Sequence, residues 1–191
     1  MDHADHVRLI REGIVGGGTT WADLGAGAGA FTLALAELLG LTSTIYAVDR
    51  DAMALEALGD AVRGRFPHVI LHQIVADFTR PLALPPLDGI VMANSLHFVR
   101  DKRAVLALVR GLLRDGGRVV LVEYDTDHGN AWVPHPLSYP SWERMAADAG
   151  FAATQRLASV PSRFLGSIYA ALSMIGPPGG AEGASMVHAA T

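Results

Sequence analysis

The sequence predicts an α/β fold, in which a doubly wound and mostly parallel sheet carries helices on both faces. Apolar runs of strand length alternate along the chain with runs whose apolar residues recur at helical spacing. This alternation requires parallel strands joined by helical crossovers. The last two strand-like runs, ATQRLASV and FLGSIYAAL, are separated by only three residues, which are too few for a crossover. The sheet is therefore expected to end in an antiparallel pair.

The first half of the chain contains three strand-like runs. They span residues 19–24, 43–49 and 68–78. The helical runs AFTLALAELLG and DAMALEALGDAVRGRF follow the first two, and the proline-rich connection TRPLALPPL follows the third. The N-terminal stretch MDHADHVRLIREGI has acidic residues and histidines where a signal peptide has a basic end and an apolar block. It is predicted to be a short helix, with His3 and His6 in solvent and a position over a bound ligand as the alternative.

The second half continues the alternation, with residues 87–95 and 117–125 as strands. The run between them is predicted to be a helix that Asp101 caps and that residues 115–117 stop. A further helix is expected around SWERMAADAGF. These elements complete the alternating pattern before the antiparallel pair.

Length and composition predict one globular domain over residues 1–175, followed by a low-complexity tail over 176–191. Half of the residues are hydrophobic, which is consistent with an apolar pocket or a homodimer face. A net charge of −4 gives no electrostatic footprint for nucleic acid. The chain has no cysteine, which suits the reducing cytoplasm. Its longest apolar stretch, which starts at Phe164, is too short to span a bilayer.

The stretch WADLGAGAG places a glycine-rich turn directly after the first strand. Gly25, Gly27 and Ala30 satisfy the dinucleotide-binding pattern G-x-G-x-x-G/A, while Asp23 to Gly29 satisfy the acidic pattern of S-adenosylmethionine binders. A tight turn with no ligand is a third interpretation. In every case the glycines allow a sharp turn and a close approach of the backbone.

Three carboxylates discriminate between these templates, because Asp23, Asp49 and Asp77 end the first three strands and should meet at one crevice. Asp23 would repel a pyrophosphate at the glycine turn but would accept the ammonium of S-adenosylmethionine. Asp49 suits a ribose diol, with capping of the next helix as the alternative. Asp77 and Phe78 suit an adenine ring, although Asp77 also suits a loop start.

Five stretches, taken in chain order, resemble the successive motifs of class I S-adenosylmethionine-dependent methyltransferases. They are WADLGAGAG, YAVDRD, VADF, LDGIVMANSLHF and LLRDGGRVVLVEYD, and the match extends over residues 19–173. The resemblance implies a Rossmann-like, seven-stranded sheet with a reversed last strand and S-adenosylmethionine as the cofactor. It also implies a set of cofactor-binding residues, which are Asp23, Gly25, Gly27, Gly29, Asp49, Arg50, Asp77, Phe78, Asn94 and Ser95.

Within that resemblance, Asn94 and Ser95 stand where residues flank the sulfonium. The Asn/Asp-Pro-Pro-Tyr/Phe motif of many nucleic-acid and glutamine N-methyltransferases is absent, and Asn94 to His97 occupy its place. The chain therefore looks more like the branch that methylates small molecules. His97 is a candidate general base for a substrate hydroxyl, and a packed or capping histidine is the alternative.

The connection after the fifth strand is rich in aromatic residues and histidines. Because it follows a strand at the carboxyl edge, Trp132 and Tyr139 are predicted to line the acceptor pocket, with His135 as a second candidate base. The alternative is that both rings only cover the sheet edge. Asp125, Asp127 and His128 do not have the spacing of a known metal motif, so no metal is expected.

The sequence thus predicts a methyltransferase that uses S-adenosylmethionine on a small-molecule acceptor. Two other functions remain open at this point. One is an S-adenosylmethionine-binding module without catalysis. The other is a nicotinamide-dependent oxidoreductase, against which the position of Asp23 argues.

Overall fold

Seven strands form one sheet in the computed structural model, which describes residues 1–16 and 18–176. The strands are β1 (Thr20–Leu24), β2 (Thr44–Asp49), β3 (Ile70–Val75), β4 (Leu87–Ala93), β5 (Leu113–Tyr124), β6 (Ala153–Pro161) and β7 (Ser167–Met174). The helices are α1 (His3–Ile14), α2 (Ala30–Leu39), α3 (Ala52–Arg65), α4 (Lys102–Leu112) and α5 (Tyr139–Asp148), with a 3₁₀ turn at Leu96–Phe98.

The sheet has the order β3-β2-β1-β4-β5-β7-β6. Strands β1 to β5 pair in parallel, and β7 runs antiparallel to both β5 and β6. The predicted α/β fold, its seven strands and its antiparallel end are confirmed. From the centre of the sheet, the chain adds β2 and β3 beside β1 on one side and β5 beside β4 on the other, so the direction of winding changes between β1 and β4. In open α/β sheets, ligands bind at the carboxyl ends of the strands at such a switch point.

Local signals account for most of the helix boundaries. The predicted N-terminal helix is confirmed as α1, where Asp2 and Asp5 form a reciprocal capping box. Asp101 caps α4, as predicted, by accepting a hydrogen bond from the backbone N–H of Ala104. Each of these caps fixes where a helix begins without any long-range contact.

The prediction that residues 115–117 stop α4 was wrong by several residues. The helix ends at Leu112, and Leu113 already pairs with Leu87 as part of β5. The register then shifts between Leu87 and Gly89, so the turn that contains Gly116, with φ of +71°, is accommodated as an irregularity in the ladder. Sheet pairing therefore overrides the local stop signal.

The two faces of the sheet bury separate apolar clusters. Along β5, Val120 and Val122 pack on the face covered by α1 and α2, while Val119 and Leu121 pack on the face covered by α4 and α5. Because side chains alternate along a strand, Glu123 points to the same face as Val119 and Leu121. A carboxylate is thus carried into the buried layer beneath α4.

Two further expectations from the sequence concern the C-terminal tail and membrane-spanning helices. Apart from Gly176, the predicted tail 176–191 lies outside the described residues. In the part of the chain that the structure describes, no helix combines the length and apolar character needed to cross a bilayer.

Candidate functional site

The glycine turn between β1 and α2 lies at the carboxyl edge of the sheet. Gly25 and Gly29 have φ of +82° and +88°, and a Cβ would overlap Ser95 at the first and Leu58 at the second. Gly27 differs, because nothing lies within 4 Å of the position its Cβ would take. The outer glycines serve close packing, and Gly27 leaves free space above the turn.

Two cavities flank this turn, and both are lined by Gly25, Gly27 and Asn94. The larger has a volume of about 700 Å³ and the smaller about 260 Å³. All of the predicted cofactor-binding residues line one cavity or the other. The larger is lined by Asp49, Arg50, Asp77, Phe78 and Ser95, and the smaller by Asp23 and Gly29.

Asp49 joins the glycine turn to the end of β2. Its Oδ2 accepts a hydrogen bond of 2.8 Å from the N–H of Gly27, and its Oδ1 accepts one of 3.0 Å from the N–H of Asp51. The alternative that Asp49 caps α3 was wrong, because Asp51 is the cap and accepts from two N–H groups of the helix. Each carboxylate oxygen of Asp49 retains a second acceptor site for a ligand.

Asp77 lies at the other wall of the larger cavity, next to Phe78. Its Oδ1 accepts hydrogen bonds from the side chain and the N–H of Thr79, and these bonds lower the pKa of Asp77. The alternative that Asp77 starts the loop before Thr79 therefore holds for its Oδ1. Among the described residues Oδ2 has no hydrogen-bond partner, so it can accept from an amino group in the cavity.

Asp23 lines the smaller cavity and is almost completely buried, with 1% of its surface exposed. Burial, reinforced by the negative charge of Asp49, raises the pKa of Asp23 to about 6, although Thr32 donates a hydrogen bond of 2.6 Å to Oδ2. This carboxylate has only a neutral partner in the described chain. The cavity thus fits a ligand that brings a positive charge to this position.

Asn94 separates the two cavities in a backbone conformation that is rare for a residue with a side chain. Its φ is +51°, and its Oδ1 is buried without a hydrogen-bond partner. Ser95 has a different role, because its hydroxyl donates a hydrogen bond of 2.7 Å to the carbonyl of Leu24. Ser95 thereby ties the end of β4 to β1, while Asn94 lines both cavities and keeps one acceptor unused among the described residues.

His6 lines a cavity, which is the alternative that sequence analysis left open for both N-terminal histidines. We expected it in solvent, but it lines the smaller cavity beside Asp23, and its ring packs against Phe31 at 4.7 Å. Burial lowers the pKa of His6. His3 is different, since it pairs with Glu37 near the surface. No local pattern distinguishes the two histidines, because only the packing of α1 on α2 decides which one faces the cavity.

His97 and Glu123 form a buried pair at the carboxyl ends of β4 and β5. The Nδ1 of His97 lies 2.9 Å from Oε1 of Glu123, and the same carboxylate accepts from the N–H groups of His97 and Tyr124. When Glu123 is ionised it can only accept hydrogen bonds, so Nδ1 then carries the proton and Nε2 has the lone pair. Sequence reasoning missed Glu123, for which the signal is one acidic residue at the end of the apolar run VVLV.

His135 lies beside this pair, since its N–H donates a hydrogen bond of 3.0 Å to the carbonyl of His97. Trp132 and Tyr139, by contrast, line neither cavity. Trp132 is 80% exposed, while the ring of Tyr139 packs against Tyr169 and beneath the guanidinium of Arg156. The role of these two residues in an acceptor pocket stays a prediction.

The loop after β5 is held by its own acidic residues. Asp125 accepts from the N–H of Tyr139 and from Arg156, and Asp127 accepts from Ser138 and Ser141. Over residues 1–16 and 18–176, no group of three His, Asp or Glu side chains is arranged to hold a metal ion. These aspartates thus position the start of α5.

We expect Asp49→Ala to weaken cofactor binding by about 1.5 to 3 kcal/mol, the scale of hydrogen bonds to a charged group. Calorimetric titration with S-adenosylmethionine measures this change. Asp51→Ala is the matched control, because Asp51 caps α3 and its loss costs about 1 kcal/mol of stability away from the cavity. An unchanged dissociation constant in folded Asp49→Ala protein would remove Asp49 from the ribose role.

Comparisons with known proteins agree with this geometry. A family model described as a methyltransferase domain matches residues 22–119, just over half of the chain. No match was found among curated protein sequences.

Solved structures share the fold at low sequence identity. YcgJ from Bacillus subtilis is 15% identical with a TM-score of 0.73, over 91% of this chain and 99% of YcgJ. The CurJ carbon methyltransferase is 20% identical with a TM-score of 0.69, over 83% of this chain and 49% of CurJ. CrArsM, an arsenic(III) S-adenosylmethionine methyltransferase from Chlamydomonas reinhardtii, is 18% identical with a TM-score of 0.66, over 87% of this chain and 66% of CrArsM.

Proposed function

Because the chain belongs to the family of methyltransferase domains and is an S-adenosylmethionine-dependent enzyme, we propose that it methylates a small molecule whose acceptor atom loses a proton to His97. The buried pair of His97 and Glu123 is the observation that carries this proposal. A methyl acceptor that is already a neutral amine needs no base, whereas a hydroxyl or a carbon acid does.

The two cavities supply the cofactor part of the proposal. Asp49 would bind the ribose hydroxyls, and Asp77 with Phe78 would bind the adenine in the larger cavity. Asp23 would bind the ammonium in the smaller cavity, where its buried charge has no cationic partner within the described chain. S-Adenosylmethionine supplies a methyl group on a positively charged sulfur, so the protein has mainly to orient the acceptor and to remove its proton.

Three features support His97 as the base. When Glu123 is ionised it holds the imidazole by Nδ1–H, which leaves the lone pair on Nε2. The ring of Phe98 packs against the imidazole at 4.2 Å, and Phe98 also lines the larger cavity. His97 follows Asn94 by three residues, and Asn94 stands where the two cavities meet.

The acceptor is proposed to be a carbon acid or a hydroxyl on a small molecule. The CurJ structure, which shares the fold, is described as a carbon methyltransferase, and methylation of carbon requires that a proton leave that carbon. The net charge of −4 speaks against nucleic acid as the acceptor. A cytoplasmic location and a homodimer remain part of the proposal, supported only by the absence of cysteine and the apolar composition.

Cofactor choice is tested by calorimetry on the full chain. We expect S-adenosylmethionine and its demethylated product to bind, and NAD to bind more weakly than either, because Asp23 repels a pyrophosphate at the glycine turn. A screen of small carbon acids, phenols and amines, read by release of the demethylated product, then identifies the acceptor class. Tighter binding of NAD would contradict the cofactor assignment, and turnover with amines alone would contradict the role of His97.

A further inference from the structure

The smaller cavity beside the glycine turn has two titratable side chains among the described residues that line it, Asp23 and His6. The other lining residues are glycines, alanines, Phe31 and Asn94. The methionine part of S-adenosylmethionine carries two charged groups, an ammonium and a carboxylate. The proposed function gives the ammonium a partner in Asp23 but gives the carboxylate none. A partner for the carboxylate has to be a hydrogen-bond donor.

The packing of α1 fixes the position of His6 on the cavity wall. Leu9 and Ile10 follow His6 by three and four residues, so they lie on the same face of the helix, and both are completely buried. They belong to the same apolar cluster as Phe31. The ring centroids of His6 and Phe31 lie 4.7 Å apart. The imidazole therefore reaches the cavity from a helix that is anchored in the core.

The imidazole of His6 has a donor that the described residues leave unused. Its ring packs against Phe31 and makes no hydrogen bond within that part of the chain. His3 differs, because its Nε2 lies 2.7 Å from Oε2 of Glu37. Burial lowers the pKa of His6, and a neutral imidazole still carries one N–H. His6 can thus donate to a carboxylate in either protonation state.

Other groups on the cavity wall distinguish the two ends of a zwitterion. Asp23 repels a carboxylate by its charge, and the unpartnered Oδ1 of Asn94 is an acceptor, so both suit the ammonium. The α2 helix begins after Gly29 without a side-chain cap, so the positive end of its dipole lies beside the same cavity. The cavity therefore offers acceptors for an ammonium and donors for a carboxylate.

We propose that His6 binds the carboxylate of S-adenosylmethionine and thereby favours cofactors that carry this group. The proposal rests on the proposed placement of the methionine part in the smaller cavity. It makes His6 a specificity-determining residue as well as a packing partner of Phe31. A cofactor analogue without the carboxylate gains no hydrogen bond from His6, so its affinity should not depend on this side chain.

Calorimetric titration of the full chain tests this with S-adenosylmethionine and decarboxylated S-adenosylmethionine, which keeps the sulfonium and the amine but lacks the carboxylate. His6→Phe removes the N–H donor and keeps a ring that can pack against Phe31. His6→Gln loses the ring and keeps an N–H donor. His3→Phe is the matched control, because it makes the same change on α1 at a residue that lines neither cavity.

We expect His6→Phe to bind S-adenosylmethionine about 10- to 100-fold more weakly than the wild type, the scale of a hydrogen bond to a charged group. Its affinity for the decarboxylated analogue should be unchanged, which also reports that the variant is folded. His6→Gln should regain part of the loss, and His3→Phe should match the wild type with both compounds. Equal losses for the two compounds in His6→Phe would show that His6 only packs, and would overturn the proposal.

Two further variants separate a failure of this inference from a failure of the proposed function. If Asp23→Asn loses affinity for both compounds while His6→Phe loses none, the cavity assignment holds and the role of His6 is wrong. Unchanged affinities in both variants would overturn the placement of the methionine part as well. Full activity of His97→Gln would instead contradict the proposed base and leave the calorimetric comparison intact.

Discussion

Methyl transfer by the His97→Gln variant is expected to be about 10²- to 10⁴-fold slower than by the wild type, the range that a positioned general base contributes. The variant loses the lone pair of Nε2, while its affinity for S-adenosylmethionine should be retained, because His97 lines neither cavity. The measurement is the initial rate with the acceptor that the screen identifies, at saturating cofactor.

Glu123→Gln changes the other member of the His97–Glu123 pair. A glutamine amide can donate to Nδ1, which moves the proton of the imidazole to Nε2 and removes the base without removing the ring. A loss of about 10²- to 10⁴-fold is therefore expected here too. His135→Gln is the matched control, since His135 contacts this region through its backbone. Near wild-type turnover by Glu123→Gln, or a larger loss in His135→Gln than in His97→Gln, would contradict the assignment.

Asp23→Asn is expected to stabilise the protein without cofactor at pH 8 by up to about 3 kcal/mol. The pKa of Asp23 is raised from 3.8 to about 6 by burial, so its protonated form is the one that the fold favours. The stability that this group contributes is fully present below pH 3.8 and is lost as the pH rises through about 6. Asparagine resembles the protonated form and never bears the charge.

Chemical denaturation of both proteins at pH 4 and pH 8 measures this difference, which should be large only at the higher pH. Saturating S-adenosylmethionine should reverse the order at pH 8, because the ammonium compensates the charge of Asp23 and has no anionic partner in Asp23→Asn. Thr32→Val is a useful comparison, since it removes the one hydrogen bond that the described residues donate to that carboxylate but leaves the charge. Equal stability of Asp23→Asn and wild type at pH 8 would show that the buried charge is already compensated.

Sequence analysis was most informative where one short segment contains both the pattern that predicts a strand or a turn and the polar residue that lines a cavity. Asp23 and Asp49 end strands that their apolar runs reveal, and the glycines follow the first strand directly, so their meeting at one edge follows from the parallel arrangement. The loop after β5 is different, because its arrangement depends on contacts that are distant in sequence. Nothing in its composition shows that the Tyr139 ring packs between Tyr169 and Arg156, or that Asp125 binds both Arg156 and the N–H of Tyr139.

By itself, the sequence determined the α/β architecture, the glycine turn and the carboxylates at the strand ends, because strand and helix periods and turn residues act over a few neighbouring positions. Tertiary structure alone decided that Glu123 lies beside His97, 26 residues away along the chain. It also decided that His6, not His3, faces the cavity. These relations depend on which strands become neighbours and on how the helices cover them, and the free energy that selects that arrangement is spread over the whole core.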